Sequence, residues 1–239
     1  RARAEDRTAI VKLYASERAA LVAARITALA GGPREPRLPR VLLCDPALRL
    51  VVLSEVPGIP LRSALLEGDL ASCHRAGAAL GAWHRAWSAA RPAPLRVHTP
   101  ARELELLDRR AETAPPALAG AVRSAATRLG GTWPAPGVVH RDLYEEQVLV
   151  GERVGLIDLD DVALGPPELD VGNLLAHVEL LALRSGRSLC GPAATLLDGY
   201  AEAGPGLDPA LLERCRGLTL LRLACIHREP ALLAAAGTT

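Results

Sequence analysis

One stretch, HRDLYEEQVLVGERVGLIDLDD at positions 140–161, limits the fold more than any other. Two short apolar runs, VLV and VGLI, are separated only by Gly151, Glu152 and Arg153, a spacing that predicts a tight β-hairpin. Acidic and amide side chains crowd its ends: Asp142, Gln147, Asp158, Asp160 and Asp161. Carboxylates this close repel one another unless positive charge sits among them. A loop and hairpin of this length bring the Gln147 amide to the strand-end carboxylate of Asp158, and both are hard oxygen donors suited to Mg²⁺. Asp142 then lies beside the metal, free to accept a proton from an attacking hydroxyl.

The same spacing, His-x-Asp with an amide five residues on and then an apolar strand ending in Asp, is that of kinase active sites. The run VVHRDLYEEQVLV…VGLIDLDDVALGPPELDVGNLLAH resembles the aminoglycoside phosphotransferase and choline kinase-like superfamily, whose fold is similar to that of protein kinases. The likeness extends back, more loosely, through LGAWHRA (80–86) and VVLSEVPGIPL (51–61) to AIVKLY (9–14). It implies Asp142 as catalytic base, Gln147 and Asp158 as Mg²⁺ ligands, and Lys12 on the α/β-phosphates of ATP, with GTP as the alternative nucleotide. It further implies that the backbone around Glu55 and Val56 meets the adenine, that Asp170 braces the loop and that His140 fixes its geometry.

Lys12 also stands out on its own. It is the only Lys in a chain that otherwise uses Arg, as Gln147 is the only Gln and Asn173 the only Asn. A compact ammonium reaching phosphate oxygens does a job that a guanidinium does differently. The bias toward Ala, Leu, Arg and Gly, with no Phe and no Met, resembles that of a GC-rich genome. The missing Met places the expected start of the protein upstream of Arg1.

Periodicity predicts an α+β, two-lobed architecture. Residues 1–55 read as a partial, β-rich nucleotide-binding lobe: a strand over 8–16, a helix capped by Ser16 and stopped at 31–33, and strands over 37–45 and 48–56. A hinge follows near 55–58, and 56–239 read as a larger, mostly helical catalytic and acceptor-binding lobe. Its predicted helices cover 69–90, 100–112 and 115–130, with further helix from about 169 to 237, broken at SGRS and GPGLDP. Short strands fall at 137–140, 146–150 and 153–159. ARELELLDRRAE reads as a solvated, charged helix. Trp83 and Trp87 form a core stripe, and His74 and His84 take packing or surface roles.

Bulk properties exclude several classes. The net charge of +1 gives no nucleic-acid footprint. No apolar run approaches a membrane span, and the first residues lack a signal region, so a cytoplasmic protein is expected. Five cysteines, an odd and widely spaced set, predict reduced thiols and no zinc site.

The pattern departs from the family at four places. Gln147 replaces Asn, the helix after Lys12 has only the early Glu17 for an ion pair, Pro166 replaces an Asp, and no Gly-rich loop precedes Lys12. The first strands of the small lobe are therefore missing from this sequence. The expected function is ATP-dependent phosphorylation of a small-molecule hydroxyl, on an aminoglycoside or other antibiotic, with Glu179, Glu202 and Glu213 as candidate acceptor contacts. The alternative is a non-catalytic, pseudokinase-like nucleotide- or ligand-binding protein.

Overall fold

The computed structural model describes residues 8–30, 32, 35–129, 131–134 and 137–236. Gly31 and Pro33, where the first helix was expected to stop, and the first seven residues lie outside the described set. The small lobe is a sheet with order β1-β3-β2, formed by β1 (Ala9–Leu13), β2 (Val41–Asp45) and β3 (Leu50–Ser54), and crossed by helix α1 (Ala19–Ala28). Both pairings are antiparallel, and Lys12 lies opposite Val51. Alternation along β3 buries Val51 and Leu53 against Val22 and Ile26 of α1 in one core. Ser16 does not cap α1. Its carbonyl accepts from the Arg18 N–H in a turn, and the helix begins one residue after Arg18.

After the connection at 55–58 the chain forms β4 (Ile59–Pro60), α2 (Leu61–Glu67) and α3 (Leu70–Ala86). Gly68, at φ 72°, closes α2, and the Asp69 carboxylate caps α3 by accepting from the Ser72 N–H at 3.1 Å. The predicted helix over 69–90 therefore ends early, at Ala86. There the Trp87 carbonyl turns to accept from the N–H of Val138, tying the helix end to a strand.

Helices α4 (Pro100–Ala111) and α5 (Pro116–Leu129) follow, then β5 (Gly137–Val139), β6 (Val148–Val150) and β7 (Gly155–Leu156). A 3₁₀ turn at Leu159–Asp161 leads into β8 (Ala163–Gly165). Strands β6 and β7 form the predicted hairpin, with β4 on its other edge, while β5 pairs with β8. Four helices finish the described chain: α6 (Pro167–Ser185), α7 (Cys190–Ala203), α8 (Pro209–His227) and α9 (Ala231–Ala235).

Close helix contact sets the frame of the large lobe. A Cβ on Gly77 of α3 would lie 1.9 Å from the Leu196 carbonyl oxygen of α7, and one on Gly199 would lie 2.1 Å from that of His74. These two helices therefore touch backbone to backbone, as only glycine permits. Among the described residues no helix is long and apolar enough to cross a membrane. All five cysteines are free thiols.

Candidate active site

The loop after β5 is held from beneath by one carboxylate. Asp170, fully buried in the first turn of α6, accepts from the backbone N–H of His140 at 2.6 Å and of Arg141 at 2.7 Å. It also meets His84 Nε2 at 3.0 Å, and His84 Nδ1 lies 3.0 Å from the Tyr200 hydroxyl. The backbone contact of α3 with α7 brings Tyr200 within reach of His84. His140 Nε2 donates to the Ile157 carbonyl at 2.8 Å, linking the loop to the end of the hairpin. Arg141 takes φ 74° and Asp158 φ 61°, left-handed conformations that cost a non-glycine residue about 1 kcal/mol or more.

Asp142 then projects, about half exposed, into a cavity of about 340 Å³ between the loop, α4, α6 and α8. Arg222 of α8 comes within 3.8 Å of its carboxylate. Asn173 of α6 joins these parts. Its Nδ2 donates to the Leu143 carbonyl at 2.7 Å, and its Oδ1 accepts from Arg222 at 2.5 Å and from Thr219 at 3.1 Å.

Lys12 reaches across from the small lobe. Its Nζ lies 2.5 Å from Asp158 Oδ1 and 2.8 Å from Asp160 Oδ1. Burial works against the ammonium, but the hydrogen bonds to Asp158 and Asp160 outweigh it and hold the Lys12 pKa above its ordinary value. Asp160 thus faces the small lobe, whereas Asp161 sits 3.2 Å from both Arg18 and Arg141. Burial alone would raise the Asp161 pKa, yet Arg141 and Arg18 keep it low. From α1 no acid reaches Lys12. Instead Arg25 and Arg18 both donate to the Asp160 carbonyl, at 2.6 and 3.3 Å.

Gln147 is buried beside this pair. Its carbonyl accepts from the Ile157 N–H at 3.0 Å, which sets it next to Asp158 across the hairpin mouth. Its side-chain Oε1 is buried with no hydrogen-bond partner among the described residues. An orphaned amide oxygen costs free energy unless something electropositive meets it. Together with the Asp158 carboxylate it is a donor set that fits a hard divalent cation. Among the described residues no group of three or more His, Cys, Asp or Glu side chains could hold a metal alone.

At the connection between lobes, Val56 packs on Gly155 of β7, and Glu55 is exposed. Among the described residues neither backbone N–H nor C=O of Glu55 or Val56 has a hydrogen-bond partner. A cavity of about 580 Å³ lies beside Glu55, lined by Leu29, Leu38 and Ser54.

These features agree with one family. A family model described as "Phosphotransferase enzyme family" matches residues 1–218. The chain belongs to that family. No curated protein sequence matches it. Among solved structures, the amicoumacin kinase hAmiN, in complex with AMP-PNP, Ca²⁺ and Ami, superposes with a TM-score of 0.68 at 18% identity, covering 96% of this chain and 80% of that one. The choline kinase LicA from Streptococcus pneumoniae gives 0.66 at 14% identity, over 98% and 87%. The aminoglycoside phosphotransferase APH(3'')-Id from Streptomyces rimosus gives 0.63 at 18% identity, over 92% and 86%. The two-lobed, kinase-like fold is thus shared across this group.

Several parts of this candidate site carry no local signal in the sequence. Glu103 lies in a helix that reads as solvated, yet it is buried, 2.7 Å from His98 and 3.5 Å from Arg222. Burial would raise its pKa, but His98 and Arg222 hold it down. His84, expected as a packing residue, is a hydrogen-bonding link. Of the acids considered for the acceptor, Glu179 and Glu213 both bind Arg216, and Glu202 pairs with His74 at 3.2 Å; none lines the Asp142 cavity.

His177 of α6 borders the same cavity and stacks on Tyr144 at 5.0 Å. Burial, reinforced by Arg222, His227 and Arg184, pushes its pKa down to about 3. Below about pH 6.5 the unfolded chain takes up a proton that the folded chain refuses, so stability falls by up to about 1.4 kcal/mol per pH unit until the folded pKa is reached. Above that range His177 contributes nothing. Thermal melts of a His177→Gln variant should therefore decline less between pH 6.5 and 4.5 than those of the wild type. Equal declines would refute the assignment.

Proposed function

We propose that this family member transfers the γ-phosphoryl group of ATP to a hydroxyl of a small molecule. The observation that carries the reading is the half-exposed Asp142 carboxylate, set in a cavity by a buried brace, on the same loop–hairpin segment as the orphaned Gln147 oxygen and as Asp158, which pairs with Lys12. Residues 1–55 serve as the nucleotide lobe and 56–239 as the catalytic and acceptor lobe. The free backbone groups of Glu55 and Val56 suit the polar edge of a purine, and Lys12, released from Asp158, suits the α/β-phosphates. Gln147 and Asp158 would hold Mg²⁺, which neutralises phosphate charge when bound.

In the transfer, the acceptor oxygen forms a bond to the γ-phosphorus while the bond to the β–γ bridging oxygen breaks. ADP leaves with that electron pair, and the hydroxyl proton passes to Asp142. Antibiotic kinases among the similar structures make antibiotics one candidate acceptor class. Five free thiols suit a reducing, cytoplasmic setting.

The test is ADP formation with stoichiometric phosphorylation of a hydroxyl acceptor across a chemically varied panel. Nucleotide binding without transfer to any member would favour the non-catalytic alternative. Gln147→Ala should raise the Mg²⁺ concentration for half-maximal AMP-PNP binding at least about tenfold. An unchanged Mg²⁺ requirement would remove Gln147 from the metal site.

A further inference from the structure

The wall around Asp142 is unexpectedly basic. Arg110 from α4, Arg141 from the loop and Arg222 from α8 face the cavity, against only two acids, Asp142 and Asp161. Asp161 is already shared by Arg18 and Arg141, and Asp142 lies beside Arg222. Arg110 is left over. It is exposed, and among the described residues its side chain has no ion pair or hydrogen bond. A contiguous cavity of about 620 Å³, sharing Leu106, Arg141 and Asp161, adds Arg25, Arg96 and Arg102. Of these, Arg102 is paired with Glu105, while Arg96 has no ion pair among the described residues. Arg25 is held below its ordinary pKa by burial and by repulsion from Arg18, Arg141 and Arg96, although Asp161 opposes the shift.

Arg25 and Arg141 are tied to Asp160 and Asp161 at the small-lobe side, but Lys12, Gln147 and Asp158 do not line the Asp142 cavity, so Arg110 stands apart from the residues proposed for nucleotide and metal. The next cavity, of about 280 Å³, does contain Glu145 and Glu146, but both lie near Arg62, and Arg184 lies opposite. Among the described residues, acids do not outnumber arginines in the lining of either cavity, so neither offers surplus negative charge to a polycation. A planar guanidinium fork matches a carboxylate or phosphate. Leu106, Leu223 and Ile226, with the stacked Tyr144–His177 pair, leave an apolar wall for the body of the molecule.

We infer that the acceptor is a hydroxyl compound that also carries an oxyanion, a carboxylate or a phosphate, anchored by Arg110 at the mouth of the Asp142 cavity. This rests on the reading of Asp142 as the base. It replaces the aminoglycoside expectation with an anionic substrate class.

The experiment is calorimetric titration of citrate, orthophosphate and kanamycin into the full chain at constant ionic strength, with and without saturating Mg²⁺ and AMP-PNP. Citrate or phosphate should bind at least about tenfold more tightly than kanamycin, and Arg110→Glu should abolish that preference. Whichever of citrate and phosphate wins identifies the oxyanion. Matched acceptors then give the kinetic readout: glycerol against glycerate and glycerol 3-phosphate, glucose against gluconate and glucose 6-phosphate. The KM of the anionic member should be at least about tenfold lower, and Arg110→Glu should remove that advantage. Kanamycin binding best, no anion binding, or a preference indifferent to Arg110→Glu would overturn the inference. Failure of AMP-PNP to bind would instead sink the phosphotransferase reading, while the titrations without nucleotide still decide the anion site.

Discussion

Asp142→Asn is expected to lower kcat by about 10²–10⁴-fold with any acceptor that the wild type phosphorylates, because the amide cannot take the hydroxyl proton. The substitution is isosteric, so the cavity keeps its shape. Arg222 keeps its contacts with Asn173 and Glu103. Asp142 is also about half exposed, so losing its charge leaves no buried group stranded. The melting temperature should therefore stay near that of the wild type, and AMP-PNP should bind with wild-type affinity, since Lys12 and Asp158 are untouched. Stopped or coupled assays of ADP release, with a melt run alongside, check all three expectations. Turnover within threefold of wild type would exclude a base role for Asp142 and leave orientation of the hydroxyl to Arg222 and the loop backbone.

The parts of this site that could be read from the sequence are those in which chemistry and fold share one short segment. Asp142, Gln147 and Asp158 fall within seventeen positions, and one hairpin, paired Val148 to Leu156, sets their relation. Lys12 could be read because a strand presents it alone among apolar neighbours in a chain with no other Lys. Arg222 is different. It lies eighty positions after Asp142, in a helix whose packing on α6 depends on Gly172, where a Cβ would meet the Arg216 N at 2.7 Å. No local pattern announces such a contact. Glu103 was misread for the same reason, since a charged helix face looks solvated until His98 and Arg222 arrive from elsewhere. Asn173 did leave a trace as the only Asn in the chain. Strand β8 left none, because the three residues Ala163–Gly165 form a strand only by pairing with β5.

Asp170→Ala should be the most destabilising single change at the site. Its two oxygens accept from three donors, the N–H groups of His140 and Arg141 and the His84 ring, in a place with no exposure. Truncation strands all three, and removing one partner from such a buried, charge-assisted network costs about 3–5 kcal/mol. For a domain of this size that is a fall in melting temperature of about 6–20 °C. Asp170→Asn should rescue little. One side of the amide can still accept, but the other presents an NH₂ group to a backbone N–H that needs an acceptor. Tyr200→Phe, which removes only the outer member of the chain, should cost about 1 kcal/mol. This ordering, Ala and Asn both severe and Tyr200→Phe mild, separates a brace under the loop from a residue that acts on substrate. If Asp170→Asn melts like the wild type while losing turnover, the carboxylate is needed for chemistry and the brace assignment is wrong. If it melts low and the loss of turnover follows the unfolded fraction, the buried carboxylate acts by holding the His140–Arg141 backbone, and Asp142 with it, in place.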